Sequence, residues 1–200
     1  SGQNADGLEG VSLSLMSGLK AQFDGMPQLE WGTVWKTTEK FPAFIDKNDV
    51  FGTVGAVWSG KAATWISGDG SDKHPFIIDT PERLYLMVIS PVHGANYSIT
   101  EDIRLNDTTK SDWYKNKNLT KWYETKTNRF SGIVDSNKKD GSLAVISGLY
   151  NDNVSEFCAL IPTIDSGSEI KNIRLINSYL AADYDPDNME SNGTVIAGIT

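Results

Sequence analysis

The stretch GSEIKNIRLINSYL, residues 167–180, constrains the fold more than any other part of the chain. Asn172 and Asn177 stand among apolar residues, which are Ile170, Ile173, Leu175, Ile176 and Leu180. In a solenoid coil, short strands alternate with tight corners, and Asn or Gly takes the corners because both tolerate left-handed backbone. The stretch therefore predicts one solenoid coil, with Ile and Leu facing inward and the asparagines at corners. A leucine-rich repeat fits less well, since no second copy follows at a period of roughly 20–29 residues.

The composition of the chain excludes several classes of function. It has 200 residues, of which 39% are hydrophobic and 22% are charged, and its net charge is -8. Nucleic-acid binding is not expected, because phosphate contacts need clustered Lys and Arg. No apolar stretch is long enough to span a bilayer, so we expect no membrane insertion. The single cysteine, Cys158, rules out an intramolecular disulfide and lies in an apolar run typical of a buried thiol.

Two short helices are predicted, near residues 14–23 and 81–89. The first repeats apolar residues at about a 3.6-residue period, at Leu15, Met16, Leu19 and Phe23. The second has Thr80 as its N-cap and Pro81 at its first helical position. Between the helices and after them, short runs rich in Val, Ile and Thr predict strands. The expected fold class is mostly β, a short parallel β-solenoid with one or two short helices.

Five segments between residues 68 and 198 resemble, in order, the head of a module built on GLUG-type repeats. They are GDGSDKHPFIIDTPERLYLMV, YSITEDIRLND, FSGIVDSNKKDGSLAVISGLY, CALIPTIDSGSEIKNIRLINSYL and NGTVIAGIT. Residues 15–45 include WGTVWKTTEKFPAF and resemble the tail of such a module, where a helix leads to a Trp-rich strand. The order of tail, bridge and head is expected of a cut through an array of modules.

The resemblance implies both an organisation and a location. Residues 1–50 are expected to be the tail of a preceding module, and residues 51–200 the head of a GLUG-type β-solenoid module. The two parts can pack as one body, because the bridge at 46–66 is not linker-like in composition. The resemblance also implies an extracellular protein at a bacterial cell surface, in which such modules serve attachment, spacing or binding. No catalytic residues come with the motif.

The sharpest candidate for chemistry in the sequence is an acidic run near the end of the chain. Its carboxylates are Asp183, Asp185, Asp187 and Glu190. Alternate carboxylates can converge on one hard cation, so a Ca²⁺ site is predicted here. The EF-hand template is not met, since Asn188 replaces the turn glycine and Thr194 replaces the bidentate Glu. A solvated acidic loop therefore stays the alternative. A second, weaker candidate consists of Asp69, Asp72 and Asp79.

The six tryptophans fall into two groups. Core packing is expected for the first group, Trp31, Trp35, Trp58 and Trp65. The second group lies in the polar segment 108–128, where two Trp-Tyr pairs are separated by lysines: Trp113, Tyr114, Trp122 and Tyr123. Such rings stack on sugars or grip a protein partner, so these four are candidate ligand-binding residues. The alternative is that they pin the segment onto the scaffold. We predict an ordered segment with at least one of its two tryptophans partly exposed.

These expectations combine into a predicted function. The chain is expected to be a non-catalytic extracellular module of a bacterial cell-surface protein, serving attachment or binding of a glycan or of a host or bacterial surface protein. The alternative is an accessory or catalytic domain of a secreted hydrolase that acts on glycans or proteins. A pure spacer is a third class. No cofactor is expected apart from the candidate Ca²⁺, and the sequence leaves the oligomeric state open.

Overall fold

A computed structural model describes residues 19–36, 38, 41–122, 129–152 and 159–181 of the chain. Strands dominate this part, most of them pair in parallel, and one α-helix occurs within it. The predicted mostly-β class is therefore confirmed. In the same ranges no helix is both long enough and apolar enough to cross a membrane.

The strands are short, and most of them lie in the second half of the described chain. In chain order they are β1 (Trp35–Lys36), β2 (Ala43–Phe44), β3 (Phe76–Ile78), β4 (Ala95–Ile99), β5 (Ile103–Arg104), β6 (Gly132–Ser136), β7 (Ala144–Ser147), β8 (Tyr150–Asn151), β9 (Glu169–Lys171), β10 (Ile173–Ile176) and β11 (Tyr179–Leu180). The helix α1 spans Pro81–Ile89, and two 3₁₀-helices span Leu19–Gln22 and Trp113–Lys115.

Successive parts of the chain supply strands to the same parallel sheets. The four-stranded sheet has the order β3-β4-β6-β9, the three-stranded sheet has the order β10-β7-β5, and β11 pairs with β8. The consecutive strands β6, β7 and β8 therefore each find a parallel neighbour among the consecutive strands β9, β10 and β11. The hairpin strands β1 and β2 pair in antiparallel orientation.

The corners between these strands are set by left-handed backbone. Asn172 separates β9 from β10 with φ 57°, and Asn177 separates β10 from β11 with φ 48°. Asparagine adopts this conformation more readily than other residues that carry a Cβ. The side-chain amide of Asn172 also donates a hydrogen bond to Asp135 Oδ1 at 2.7 Å, which ties the corner to the neighbouring strand β6. The prediction that both asparagines take corners is confirmed.

Helix α1 has the bounds that the sequence predicted, and Pro81 is its first residue. Thr80 is the N-cap with extended backbone, but its hydroxyl makes no capping bond and donates instead to the carbonyl oxygen of Phe51 at 3.5 Å. The buried apolar face of the helix consists of Leu84, Met87 and Val88. Because these three side chains enter the core cluster, α1 covers one side of the parallel strands.

Half of the first predicted helix, residues 14–18, lies outside the described residues. Of the range 14–23, the structure describes the part that contains the 3₁₀-helix Leu19–Gln22. The hairpin β1-β2 that follows is stabilised by its aromatic pair, since the rings of Trp35 and Phe44 lie 4.2 Å apart. Phe44 nevertheless leaves 64% of its surface exposed.

Large aromatic rings fill the centre of the core. Phe76 and Tyr97 lie opposite each other in the β3-β4 pair, with ring centroids 5.5 Å apart. Tyr97 contacts Phe130 in turn, at 5.8 Å. Trp58, expected in the core, is buried, whereas Trp65 is half-buried and stacks on Phe76 at 4.6 Å. Trp31 and Trp35 are half-buried as well, so the core prediction holds fully for Trp58 alone among the four.

Candidate ligand-binding site

The polar segment after β5 is fixed at its base by Asn106, a buried side chain. The side-chain amide nitrogen of Asn106 donates to the carbonyl oxygens of Thr120 at 3.0 Å and Gly148 at 2.8 Å. Its side-chain oxygen accepts from the backbone nitrogen of Thr120 at 2.9 Å. Because these bonds join the two ends of residues 107–119, the segment leaves the sheet and returns to it at one anchored point.

Trp122 lies two residues after Thr120, where the segment returns to the sheet, and it belongs to the core. It is 1% exposed, and its indole nitrogen donates to the carbonyl oxygen of Leu160 at 2.9 Å. Its ring packs against Trp58 at 5.0 Å and against Tyr85 at 5.4 Å. A ring enclosed in this way has no face left for a ligand. Trp122 therefore pins the segment onto the scaffold.

Trp113 is also buried, with 8% of its surface exposed. It starts the 3₁₀-helix Trp113–Lys115, and its ring meets Tyr150 edge-on at 6.2 Å. The expectation that at least one of the two tryptophans is partly exposed is therefore wrong, because both rings find packing partners on the parallel strands. Tyr123, the fourth candidate, lies outside the described residues.

Tyr114 joins a stack of half-buried tyrosine rings that sequence reasoning only partly identified. The rings of Tyr114 and Tyr179 are 4.9 Å apart and 4° from parallel, and those of Tyr179 and Tyr150 are 5.5 Å apart and 17° from parallel. Tyr150 and Tyr179 are direct partners in the β8-β11 pair. We call these three residues the tyrosine stack. The signal that reveals Tyr150 and Tyr179 is their equal position after a left-handed corner residue.

The hydroxyl of Tyr150 is held by a charged pair. It donates to Asp152 Oδ2 at 2.9 Å, and Lys121 Nζ lies 2.7 Å from Asp152 Oδ1. The hydrogen bond from Lys121 lowers the pKa of Asp152 below its ordinary value. Burial, reinforced by the hydrogen bond to Asp152, raises the pKa of Tyr150. Tyr150 is therefore a neutral phenol at physiological pH, and its hydrogen bond to Asp152 fixes its orientation.

An open cleft of about 380 Å³ lies beside Trp113 within the same segment. Its walls are mostly polar and carry the carboxylates of Asp107 and Asp112 and the ammonium groups of Lys110 and Lys115. A hydrogen bond from the backbone nitrogen of Thr109, at 3.1 Å, lowers the pKa of Asp107, which stays ionised. The cleft thus combines hydrogen-bond donors and acceptors next to the ring of Trp113.

Metal binding finds no support among the described residues, where no three His, Cys, Asp or Glu side chains converge on a common point. The weaker calcium candidate is therefore wrong. Asp69 accepts a hydrogen bond from the backbone nitrogen of Ser71, and Asp79 pairs with Arg83. The stronger candidate lies outside the described residues and stays a prediction: Asp183, Asp185, Asp187 and Glu190.

The chain was compared with known proteins in three ways. We found no match among protein-family models, curated proteins or solved structures.

Proposed function

We propose that the chain is a non-catalytic module that binds a ligand through the tyrosine stack and the adjoining cleft. The observation that carries this proposal is an open, polar-walled cleft whose lining includes Trp113, a ring that contacts Tyr114 and Tyr150 of the tyrosine stack. Binding surfaces often lie on loops held by a rigid scaffold, and Asn106 anchors this one to parallel strands. Aromatic rings supply contact area at low conformational cost, and the polar groups supply direction.

We also propose that the scaffold is a short parallel solenoid. Tyr150 pairs with Tyr179, and the two positions differ by 29 residues, the difference between 179 and 150. Gly148 and Asn177 differ by the same 29 residues, and each lies two positions before one of these tyrosines. Gly148 and Asn177 both have left-handed backbone, with φ 76° and 48°. Equal corners at equal offsets are what stacked coils require.

The ligand classes that we propose are a glycan or a host or bacterial surface protein. The net charge of -8 argues against nucleic acid, because a phosphate backbone is repelled by an acidic protein. Location at a bacterial cell surface, and the division into a preceding tail at 1–50 and a module head at 51–200, rest on the resemblance to GLUG-type modules. The alternative, a domain of a secreted hydrolase, is an outcome that the following experiment can reveal.

The experiment measures binding and hydrolysis on the same ligands. The protein is tested against immobilised mannan, galactan, β-glucan, polygalacturonate and chondroitin sulfate, and against collagen as a protein probe. Each polysaccharide is then assayed for newly released reducing ends. We expect binding to at least one ligand without product release. Release of product would overturn the non-catalytic proposal in favour of the hydrolase, and absence of all binding would favour a spacer.

A matched pair of variants ties the binding to the proposed surface. Tyr114→Ala removes one ring of the tyrosine stack, whereas Phe44→Ala removes an exposed ring on the β1-β2 hairpin. We expect the first variant to weaken binding at least tenfold and the second to leave it unchanged. Equal effects of the two variants would place the binding surface elsewhere.

A further inference from the structure

The cleft beside Trp113 offers polar groups that are free to meet a ligand. Asp112 is the N-cap of the 3₁₀-helix, yet its carboxylate makes no capping bond. Among the described residues, Lys110 and Lys115 form no salt bridge within 4.0 Å. Asn116 lines the same cleft and is exposed; its side-chain oxygen accepts from the backbone nitrogen of Asn118 at 3.1 Å, so its amide nitrogen is the group offered to a ligand. These donors and acceptors therefore face solvent and can exchange water for ligand hydroxyls.

The charge of the cleft is balanced. Its lining holds two carboxylates, Asp107 and Asp112, and two ammonium groups, Lys110 and Lys115, so the formal charges of the lining cancel. Outside the lining, Arg104 lies 3.6 Å from Asp107 as an exposed pair. A phosphate, sulfate or uronate would gain from the lysines and lose to the carboxylates. A neutral ligand rich in hydroxyl groups has no such conflict, since each hydroxyl both donates and accepts hydrogen bonds.

From these observations we propose that the cleft binds a sugar unit of a neutral glycan, an inference that rests on the proposed function and specifies its ligand. Carboxylates accept hydrogen bonds from sugar hydroxyls and ammonium groups donate to them, as charge-assisted bonds. Trp113 also lines the cleft, where the 8% of its surface that is exposed adds a small apolar patch to an otherwise polar wall. A volume of about 380 Å³ lies at the small end of small-molecule sites, roughly 300–1,000 Å³, which suits one short saccharide.

A protein partner fits this cleft less well. Protein interfaces are centred on desolvated aromatic and apolar anchors, and the charged residues stay at their rim. The exposed phenylalanines of the described chain, Phe41 and Phe44, lie on or next to the β1-β2 hairpin, and exposed aliphatic side chains such as Val54 also lie outside the cleft. The walls of the cleft are instead built largely from charged and amide side chains, which match a polyhydroxyl ligand.

The test compares cleft variants with surface controls by isothermal titration calorimetry. The probes are soluble mannan, galactan and β-glucan as neutral glycans, polygalacturonate and chondroitin sulfate as acidic ones, and soluble collagen as a protein. Asp112→Ala and Asn116→Ala remove exposed cleft groups, and Asp72→Ala and Lys73→Ala remove exposed groups that do not line the cleft. Because all four side chains are exposed, thermal melting is expected to be unchanged in every variant.

The expected result is binding of a neutral glycan that falls about tenfold or more in each cleft variant, as loss of one hydrogen bond to a charged or polar group predicts. The two controls are expected to keep the affinity of the unmodified protein. Three results would overturn the inference: binding of acidic glycans alone, binding of collagen alone, or neutral-glycan binding that the cleft variants leave intact. Each of these leaves the proposed binding function standing, whereas no binding to any probe removes both.

Discussion

Tyr150 and Tyr179 occupy equivalent places on neighbouring parallel strands, with their rings 5.5 Å apart and 17° from parallel. The stack continues to Tyr114, which the anchored segment brings against Tyr179 from outside the strands. Tyr179 is the central ring of the stack, and it contacts both Tyr150 of the scaffold and Tyr114 of the segment. Loss of that ring is expected to affect the stability of the scaffold and the position of the segment together.

The first prediction concerns this central ring. Tyr179→Ala removes two stacked pairs, each worth roughly 0.5–1.5 kcal/mol, so we expect the free energy of unfolding to fall by about 1–3 kcal/mol. Tyr179→Phe keeps both stacks and is expected to stay within about 0.5 kcal/mol of the unmodified protein. Urea denaturation measures both variants. Equal losses would mean that the hydroxyl, and not the ring, stabilises this site.

The second prediction concerns the left-handed corners. An L-residue pays roughly 1–2 kcal/mol for this backbone conformation, which Asn and Gly tolerate, so Asn177→Ala is expected to lose about 1 kcal/mol and Asn177→Gly to lose little. Gly148→Ala is expected to lose more than Asn177→Ala. A Cβ at Gly148 would lie 2.7 Å from the backbone nitrogen and oxygen of Asn106, where the chain has no room to move. Urea denaturation ranks the three variants by their free energy of unfolding. A Gly148→Ala variant as stable as the unmodified protein would contradict the close approach of Gly148 to Asn106.

The features that the sequence predicted are those with local causes. Pro81 can start a helix because of its own fixed backbone, and Asn172 and Asn177 can take corners because of their own backbone preferences. Neither feature depends on contacts with distant parts of the chain. The left-handed corners and helix α1 were for this reason predictable before the structure.

The features that the sequence did not predict depend on contacts between distant residues. The polar residues around Trp122 left ligand binding and pinning of the segment both open, and the hydrogen bond from its indole nitrogen to Leu160, 38 residues away, favours pinning. The tyrosine stack requires the register between β8 and β11, which becomes visible in the sequence only when two corners 29 residues apart, at 148 and 177, are compared. Side chains in a polar segment can enter the core when an anchor such as Asn106 holds the segment against it.

The third prediction separates the two tryptophans of the polar segment. Trp122→Ala removes a fully buried ring and its hydrogen bond, so we expect a loss of about 3–5 kcal/mol. Trp113→Ala is expected to cost less, because Trp113 lies outside the core cluster of the described residues and packs on half-buried tyrosines. Trp122→Phe serves as the control, since it keeps most of the ring and loses the bond to Leu160. Thermal and urea unfolding measure the stability of all three variants. A larger loss of stability for Trp113→Ala than for Trp122→Ala would contradict the placement of Trp122 in the core and of Trp113 outside it.

The fourth prediction concerns pH and the ion pair beside the β1-β2 hairpin. Lys36 Nζ lies 2.6 Å from Asp49 Oδ2, and both side chains are mostly buried, at 16% and 9% exposure. Burial alone would raise the pKa of Asp49, but hydrogen bonds from Lys36, from the backbone nitrogen of Asp46 and from Thr64 outweigh it and lower the pKa below its ordinary 3.8. The hydrogen bond to Asp49 in turn raises the pKa of Lys36 above 10.5.

The sign of the effect follows from these directions. A carboxyl whose pKa is lower in the folded state stabilises the fold above its unfolded pKa, and that contribution is lost as the pH falls through the folded pKa. Asp49→Asn is therefore expected to be less stable than the unmodified protein near pH 7, with a difference that shrinks below about pH 4. Asp72→Asn, on an exposed side chain, is expected to have little effect at any pH. Urea denaturation between about pH 2.5 and 7 measures the difference, and a gap that is constant over this range would show that Asp49 acts through packing and not through its charge.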